Sequence, residues 1–83
     1  MGMSYVDTFP KLGKLKFERS GFLGRGNKVS VYHNGKKVDE FYLSDWVMDT
    51  LNDDALSKDM KFSNFKCDCQ KWISEYGVSL IDD

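Results

Sequence analysis

Alternating apolar and polar residues flank the dipeptide Asn34-Gly35 within residues 28–43. An Asn-Gly pair between two such runs is the strongest short-range signal for a β-hairpin, because a type I′ turn requires positive φ at both central positions. Asparagine tolerates that conformation and glycine adopts it freely. The pattern therefore predicts a tight hairpin with one strand on each side of the turn.

The two-residue turn also determines which residues of the two hairpin strands oppose each other. The predicted pairs are His33–Lys36, Val31–Val38 and Val29–Glu40. In this register the valines share one face, whereas Phe41 and Leu43 fall on the opposite face beside Tyr32. Either both faces are partly covered, or a β-bulge near residues 39–40 changes the phase of the second strand. The sequence leaves both alternatives open.

A further strand pattern precedes the hairpin. In residues 11–19, Leu15 and Phe17 alternate with charged side chains, which is typical of a half-buried strand. Residues 4–10 contain three apolar side chains and are expected either as an extended arm packed on the core or as a short edge strand. Residues 20–27 contain three glycines and predict a loop.

After the hairpin the apolar residues recur at helical spacing. Ser44 is a suitable N-cap for a short helix over residues 45–52. A longer helix is predicted over residues 64–76, with Ser63 as its N-cap and Gly77 as the left-handed residue that ends it. Trp46, Val47 and Leu51 are expected to share one face of the short helix. The apolar stripe of the longer helix comprises Phe62, Phe65, Cys69, Trp72, Ile73 and Tyr76.

These elements predict an α+β fold, in which a small three-stranded antiparallel sheet is followed by C-terminal helices packed on one of its faces. The 83 residues suffice for a single domain, and 41% hydrophobic with 30% charged residues is typical of a globular chain. Residues 1–10 are predicted to be an N-terminal arm, and residues 1–2 a cloning remnant. Residues 78–81 are expected as a last short strand or an extended tail.

The N-terminal residues do not match a secretory signal, and no apolar run reaches the length of a membrane span. A cytoplasmic protein is therefore expected. The net charge is −1, but the charges are divided unevenly along the chain. Residues 1–38 carry eight basic and two acidic side chains, a net charge of +6, and residues 39–83 carry four basic and eleven acidic ones, a net charge of −7. Either the two halves neutralise each other, or they present faces of opposite sign to partners.

Candidate catalytic and metal-binding groups are few. Cys67 and Cys69 are the two cysteines, and on a helix their side chains point about 200° apart, so they neither form an ordinary disulfide nor chelate one metal well. Cys69 is expected in the core and Cys67 in solvent. His33 is the one histidine and is expected as a solvated residue near the turn. The sequence therefore predicts a non-enzymatic binding protein without cofactor or metal.

The first candidate binding surface is acidic. It consists of Asp45, Asp49, Asp53, Asp54 and Asp59, around the first predicted helix. Such a surface can imitate a phosphate backbone and bind a basic cleft of another protein. Small acidic inhibitors that phages direct against nucleic-acid-binding host or defence proteins have this size and composition, so protein–protein interaction of that kind is the first hypothesis. Phe22 and Leu23, in the glycine-rich loop, are either a lid on the core or a second, apolar contact with such a partner.

The alternative hypothesis is a nucleic-acid-binding module. Basic residues interleaved with aromatic ones on a sheet are typical of platforms for single-stranded nucleic acid, where charge follows the phosphates and rings stack on bases. The residues predicted for this face are Lys14, Lys16, Arg25, Lys28, Lys36, Lys37 and Tyr32. Head-to-tail assembly through the opposite charges is a third possibility, and the sequence does not define the oligomeric state.

Overall fold

The computed structural model describes residues 3–21 and 26–81. The elements are β1 (Ser4–Phe9), β2 (Gly13–Arg19), β3 (Lys28–His33), β4 (Lys36–Tyr42), α1 (Asp45–Leu51) and α2 (Lys58–Ile81). The strands form an antiparallel sheet in the order β1-β2-β3-β4, with the helices on one face. The α+β class and the C-terminal position of the helices are confirmed. The predicted strand number is wrong, because the described residues contain four strands and not three.

The additional strand is β1, which lies in the segment predicted as an arm or an edge strand. All six of its residues pair with β2, from Ser4 opposite Glu18 to Phe9 opposite Gly13. Tyr5 is 8% exposed and stacks on Phe17 with 5.8 Å between the ring centroids. The burial of this ring and the six-residue ladder favour an edge strand over a separate arm.

The hairpin turns at Asn34-Gly35, as predicted, with φ values of 52° and 90°. His33 pairs with Lys36, but beyond that pair the predicted register is wrong by one residue. The observed pairs are Val31–Asp39 and Val29–Phe41, and Val38 is the extra residue of a β-bulge. The bulge turns Phe41 towards the core and leaves Val38 39% exposed. Burying the larger phenylalanine in place of a valine stabilises this register.

The core lies between the sheet and the two helices. Its buried members are Tyr5, Leu15, Phe17, Val29, Val31, Leu43, Val47, Leu51, Phe65, Cys69 and Trp72. Phe17 and Trp72 meet edge to face at 5.8 Å between ring centroids. The indole Nε1 of Trp72 donates a hydrogen bond of 2.9 Å to Asp39 Oδ2, which binds α2 to the β4 edge of the sheet. The predicted contact between the helical stripe and the sheet is therefore confirmed at Trp72.

Helix α2 is longer than the sequence pattern indicates, and both predicted ends are wrong. It begins at Lys58 and continues through Gly77 to Ile81, so residues 78–81 are helical. Gly77 is buried, and a Cβ there would lie 3.3 Å from Ile73 Cγ2 and 3.5 Å from Leu12 Cδ1. The missing side chain thus allows the β1–β2 turn to pack closely on α2. Among the described residues, no helix combines the length and hydropathy needed to cross a bilayer.

Helix α1 is attached to α2 by Ser44. This residue occupies the N-cap position, but its side chain makes no cap hydrogen bond. Its backbone N–H and its hydroxyl instead both donate to the carboxylate of Asp68, at 2.8 Å. Val47 and Leu51 are buried together, whereas Trp46 is 52% exposed, so the three residues do not share one face as predicted. A seven-residue helix buries one narrow face, and Trp46 lies about 100° away from Val47.

Candidate functional site

The sheet face opposite the helices, named here the open face, contains most of the basic residues predicted for nucleic acid. Side chains alternate between the two faces along each strand, and directly paired residues share a face. The strand register therefore assigns this face to Ser4, Val6, Thr8, Lys14, Lys16, Glu18, Lys28, Ser30, Tyr32, Lys37, Glu40 and Tyr42. No described helix packs on these residues, and the core cluster contains none of them.

Two lysine–tyrosine pairs lie on the open face. Lys16 opposes Tyr32 between β2 and β3, and Lys28 opposes Tyr42 between β3 and β4. The Nζ atom lies 6.0 Å from the ring centroid in the first pair and 5.8 Å in the second. Each ammonium group is therefore held over an aromatic ring by cation–π attraction. Tyr42 is 67% exposed, so its ring is accessible to a ligand.

Two glutamates lie between the lysine–tyrosine pairs, in the row that joins Glu18, Ser30 and Glu40. Glu18 forms an ion pair with Lys16 at 3.4 Å. Glu40 forms ion pairs with Lys28 at 3.1 Å and with Lys37 at 2.9 Å. With four lysines against two glutamates, the open face has a formal charge of +2.

The ion pairs of Glu40 affect its own titration and that of Lys28. Hydrogen bonds from Lys37 and Lys28 lower the pKa of Glu40 below the usual value of a glutamate. The hydrogen bond to Glu40 raises the pKa of Lys28, and the nearby charges add to this effect. Lys28 and Lys37 are thus both paired with the same carboxylate, that of Glu40.

The open face has a groove at the end nearest the hairpin turn. It measures about 370 Å³ and is lined by Lys14, Lys16, Glu18, Tyr32 and Gly35. Two ammonium groups and one ring therefore border the same depression. This combination suits a ligand that has both a flat apolar surface and a negative charge.

Not all predicted basic residues lie on this face. Lys14, Lys16, Lys28, Lys37 and Tyr32 do. Lys36 pairs with His33, which places it on the other side of the sheet by strand alternation, at the exposed hairpin end. Arg25 lies outside the described residues, as do Phe22 and Leu23 of the predicted apolar loop. Sequence reasoning did not assign Glu18, Glu40 or Tyr42 to the site.

The acidic surface predicted for a protein partner is also exposed. It comprises Asp45 and Asp49 of α1, Asp53 and Asp54 of the connection, and Asp59 at the start of α2. Asp53 Oδ1 accepts a hydrogen bond from Ala55 N at 2.9 Å. The ion pairs Lys16–Glu18, Lys28–Glu40 and Lys37–Glu40 involve none of these aspartates. Trp46 is exposed on the same short helix.

The fold determines the surroundings of the two cysteine thiols and of the histidine. Cys69 is buried and Cys67 exposed, as predicted. Burial, aided by the charge of Asp68, raises the pKa of the Cys69 thiol well above its usual range, so this thiol stays protonated. His33 Nε2 donates to the carbonyl oxygen of Leu12, so His33 is not the freely solvated residue that its position predicts. No cluster of three or more potential metal ligands occurs in the described part of the chain.

Comparison with known protein families, curated proteins and solved structures gives no match for this chain.

Proposed function

We propose that this protein binds nucleic acid on the open face of its sheet. The observation that supports this function is the presence of two lysine–tyrosine pairs, Lys16–Tyr32 and Lys28–Tyr42, on a sheet face that no described helix covers. Lysines attract phosphates, and exposed aromatic rings stack on bases. The face needs neither a catalytic group nor a cofactor for this binding.

Glu18 and Glu40 on the open face compete with a nucleic acid for the lysines, so they weaken its binding but do not prevent it. Their ion pairs are exposed to solvent, and exposed ion pairs are individually weak. A phosphate group can therefore take the place of a carboxylate beside Lys28 or Lys37. The exchange leaves the lysines bound to an anion and releases the glutamate to water.

The salt dependence of binding tests this function. A fluorescently labelled DNA strand of about 12 nucleotides, within the range of known single-strand sites, is titrated by anisotropy at several salt concentrations. If all four lysines of the face contact phosphates, the logarithm of the association constant falls with the logarithm of salt concentration with a slope of about −3. Absence of binding at low salt contradicts the proposal.

Two adjacent lysines provide a matched control. Lys37 lies on the open face and Lys36 on the other side of the same strand. The substitutions Lys37→Gln and Lys36→Gln change the net charge equally. Only Lys37→Gln is expected to weaken binding and to reduce the salt slope by about 0.7. Equal losses in the two variants would show that binding follows the overall charge and not this face.

We also propose, as a second candidate, protein–protein interaction through the acidic surface around α1. It is supported by the exposure of its five aspartates and of Trp46, since tryptophan is enriched among the residues that dominate binding at protein interfaces. The partner would be a basic, nucleic-acid-binding protein that the small protein inhibits.

The two candidates respond to different substitutions. Changing Asp49, Asp53 and Asp54 together to asparagine is expected to abolish capture of a basic protein partner and to leave oligonucleotide affinity at or slightly above that of the wild type. The lysine substitutions have the opposite pattern. Binding that is lost in the asparagine variant and retained in Lys37→Gln would favour the second candidate.

A further inference from the structure

We infer that the nucleic acid on the open face is a single strand, with one base stacked on Tyr32 and another on Tyr42. This inference rests on the proposed function and adds the class of ligand and its points of contact. It follows from the spacing of the two rings, from the position of the lysines and from the row of carboxylates between the pairs.

The spacing of the rings excludes neighbouring stacked bases. Tyr42 opposes Lys28, and Tyr32 lies four residues from Lys28 along β3. With a rise of about 3.3 Å per residue and about 4.8 Å between strands, the two tyrosine backbones are about 14 Å apart. Stacked bases of one strand are about 3.4 Å apart, so the two rings accept bases of separate, splayed nucleotides.

A duplex does not offer such bases. Its base faces are covered by their neighbours in the stack, whereas unpaired bases can be splayed out and stacked on aromatic side chains. Because both tyrosines project from a sheet surface, each would meet the outer backbone of a duplex and not a base face. Only a single strand can therefore stack its bases on these two rings.

Each lysine–tyrosine pair can act as a unit for one nucleotide. In the free protein Lys16 lies over the ring of Tyr32 and Lys28 over the ring of Tyr42. A base that stacks on the ring displaces the ammonium group, which is on a flexible stem and moves to the phosphate of the same nucleotide. The cation–π contact thus keeps the lysine close to its ligand position before binding.

The carboxylates favour the same conclusion. Glu18 and Glu40 lie in the row between the two pairs. A rigid duplex lying across the face would bring its phosphates onto these carboxylates. A flexible strand attached at two points can direct its intervening phosphates away from them, so the acidic row selects against continuous, straight backbones.

The test uses the full chain and three probes: a mixed-sequence DNA strand of about 12 nucleotides, the same strand annealed to its complement, and the same strand with abasic sites. Tyr32→Leu and Tyr42→Leu remove the rings and keep apolar bulk, and Tyr32→Phe and Tyr42→Phe are matched controls that keep the rings. Circular dichroism and thermal unfolding verify that each variant is folded.

Each leucine substitution is expected to weaken single-strand binding about ten-fold, and the phenylalanine controls less than about two-fold. The two losses should multiply in the double variant, since the sites are about 14 Å apart and share no partner. The abasic strand should bind wild-type protein as weakly as the intact strand binds the double variant. The duplex should show no dependence on either tyrosine.

The outcomes separate this inference from the function on which it rests. If the leucine variants bind like wild type while Lys37→Gln binds more weakly, the protein binds phosphates on this face and the stacking inference is wrong. Tighter binding of duplex than of single strand also overturns it. If wild-type protein binds none of the three probes at low salt, both the inference and the proposed nucleic-acid function are wrong.

Discussion

The two faces of the sheet are made by alternate residues of the same four strands, yet their surroundings are opposite. On the covered face Leu15, Phe17, Val29 and Val31 are fully buried against the helices. On the open face the neighbouring residues are mainly lysines, glutamates and tyrosines in contact with water, although Ser30, between Val29 and Val31, is buried. If the proposed function is right, adjacent residues of one strand serve stability on one side and binding on the other, and substitutions should separate the two.

The covered face should show the largest effect on stability. Phe17 is fully buried and contacts the rings of Tyr5, Phe41 and Trp72, so Phe17→Ala is expected to lower the free energy of unfolding by about 3–5 kcal/mol. Urea denaturation measures this loss. The neighbouring control Lys16→Gln lies on the open face and should change stability by less than about 0.5 kcal/mol.

A comparable loss in Lys16→Gln would show that the two faces are not separate in this way. If Phe17→Ala does not fold, Phe17→Leu is measured instead. It conserves most of the volume and should cost less than about 1.5 kcal/mol.

The second prediction concerns the contact that attaches α1 to α2 and its contribution to stability. Asp68 accepts hydrogen bonds from the backbone N–H and the hydroxyl of Ser44. Asp68→Ala leaves these donors without their partner and is expected to cost about 1–3 kcal/mol in thermal or urea unfolding. Asp54→Ala, at an exposed position, is the control and should have little effect. Equal effects of the two would mean that the Ser44–Asp68 contact does not hold α1 in place.

The turn of the hairpin determines which residues reach which face. Gly35 has φ of 90°, and a Cβ there would meet nothing within 4 Å, so the cost of Gly35→Ala comes from backbone strain alone. We expect a loss of about 1–2 kcal/mol, measured by chemical denaturation. Lys36→Ala, beside it, requires no unusual φ and should leave stability nearly unchanged. If Gly35→Ala leaves the stability unchanged, the expected backbone strain of alanine at this position is absent.

The smallest expected effect is that of a substitution at Glu40 on the open face, and it concerns binding affinity more than stability. Glu40 forms ion pairs with Lys28 and Lys37, so under the proposed function it would compete with phosphates for these two lysines. Glu40→Gln is therefore expected to increase oligonucleotide affinity, while its melting temperature changes only slightly, because exposed ion pairs are individually weak. Weaker binding of this variant would show that the carboxylate takes part in ligand contact.

The same competition predicts a pH dependence. Lys37 and Lys28 lower the pKa of Glu40, so its carboxylate stays charged to a lower pH than an ordinary glutamate. Its ion pairs help the fold above the unfolded-state pKa, and this help is lost as the pH falls through the lowered folded-state value. Over the same fall in pH, wild-type affinity for the DNA strand should rise towards that of Glu40→Gln, and the variant should lack this part of the pH profile.

Part of the candidate site is visible in the sequence. The alternation around Leu15 and Phe17 places Lys14 and Lys16 on the opposite face without further information. Tyr42 and Glu40 are different, because the regular register would place them on the face of Val29 and Val31. The bulge at Val38 reverses this and brings Tyr42 beside Lys28. The second lysine–tyrosine pair therefore depends on a feature that the local pattern left open.

The sequence by itself determined the features that depend on near neighbours in the chain. The turn at Asn34-Gly35 follows from the backbone freedom of two residues, and the inward Cys69 and outward Cys67 follow from the helical period. The tertiary structure decided the pairing of β1, the bulge at Val38 and the continuation of α2 through Gly77. The reason is that each of these is chosen by burial against residues distant in sequence, as Tyr5 against Phe17, Phe41 in the core and Leu12 against Gly77.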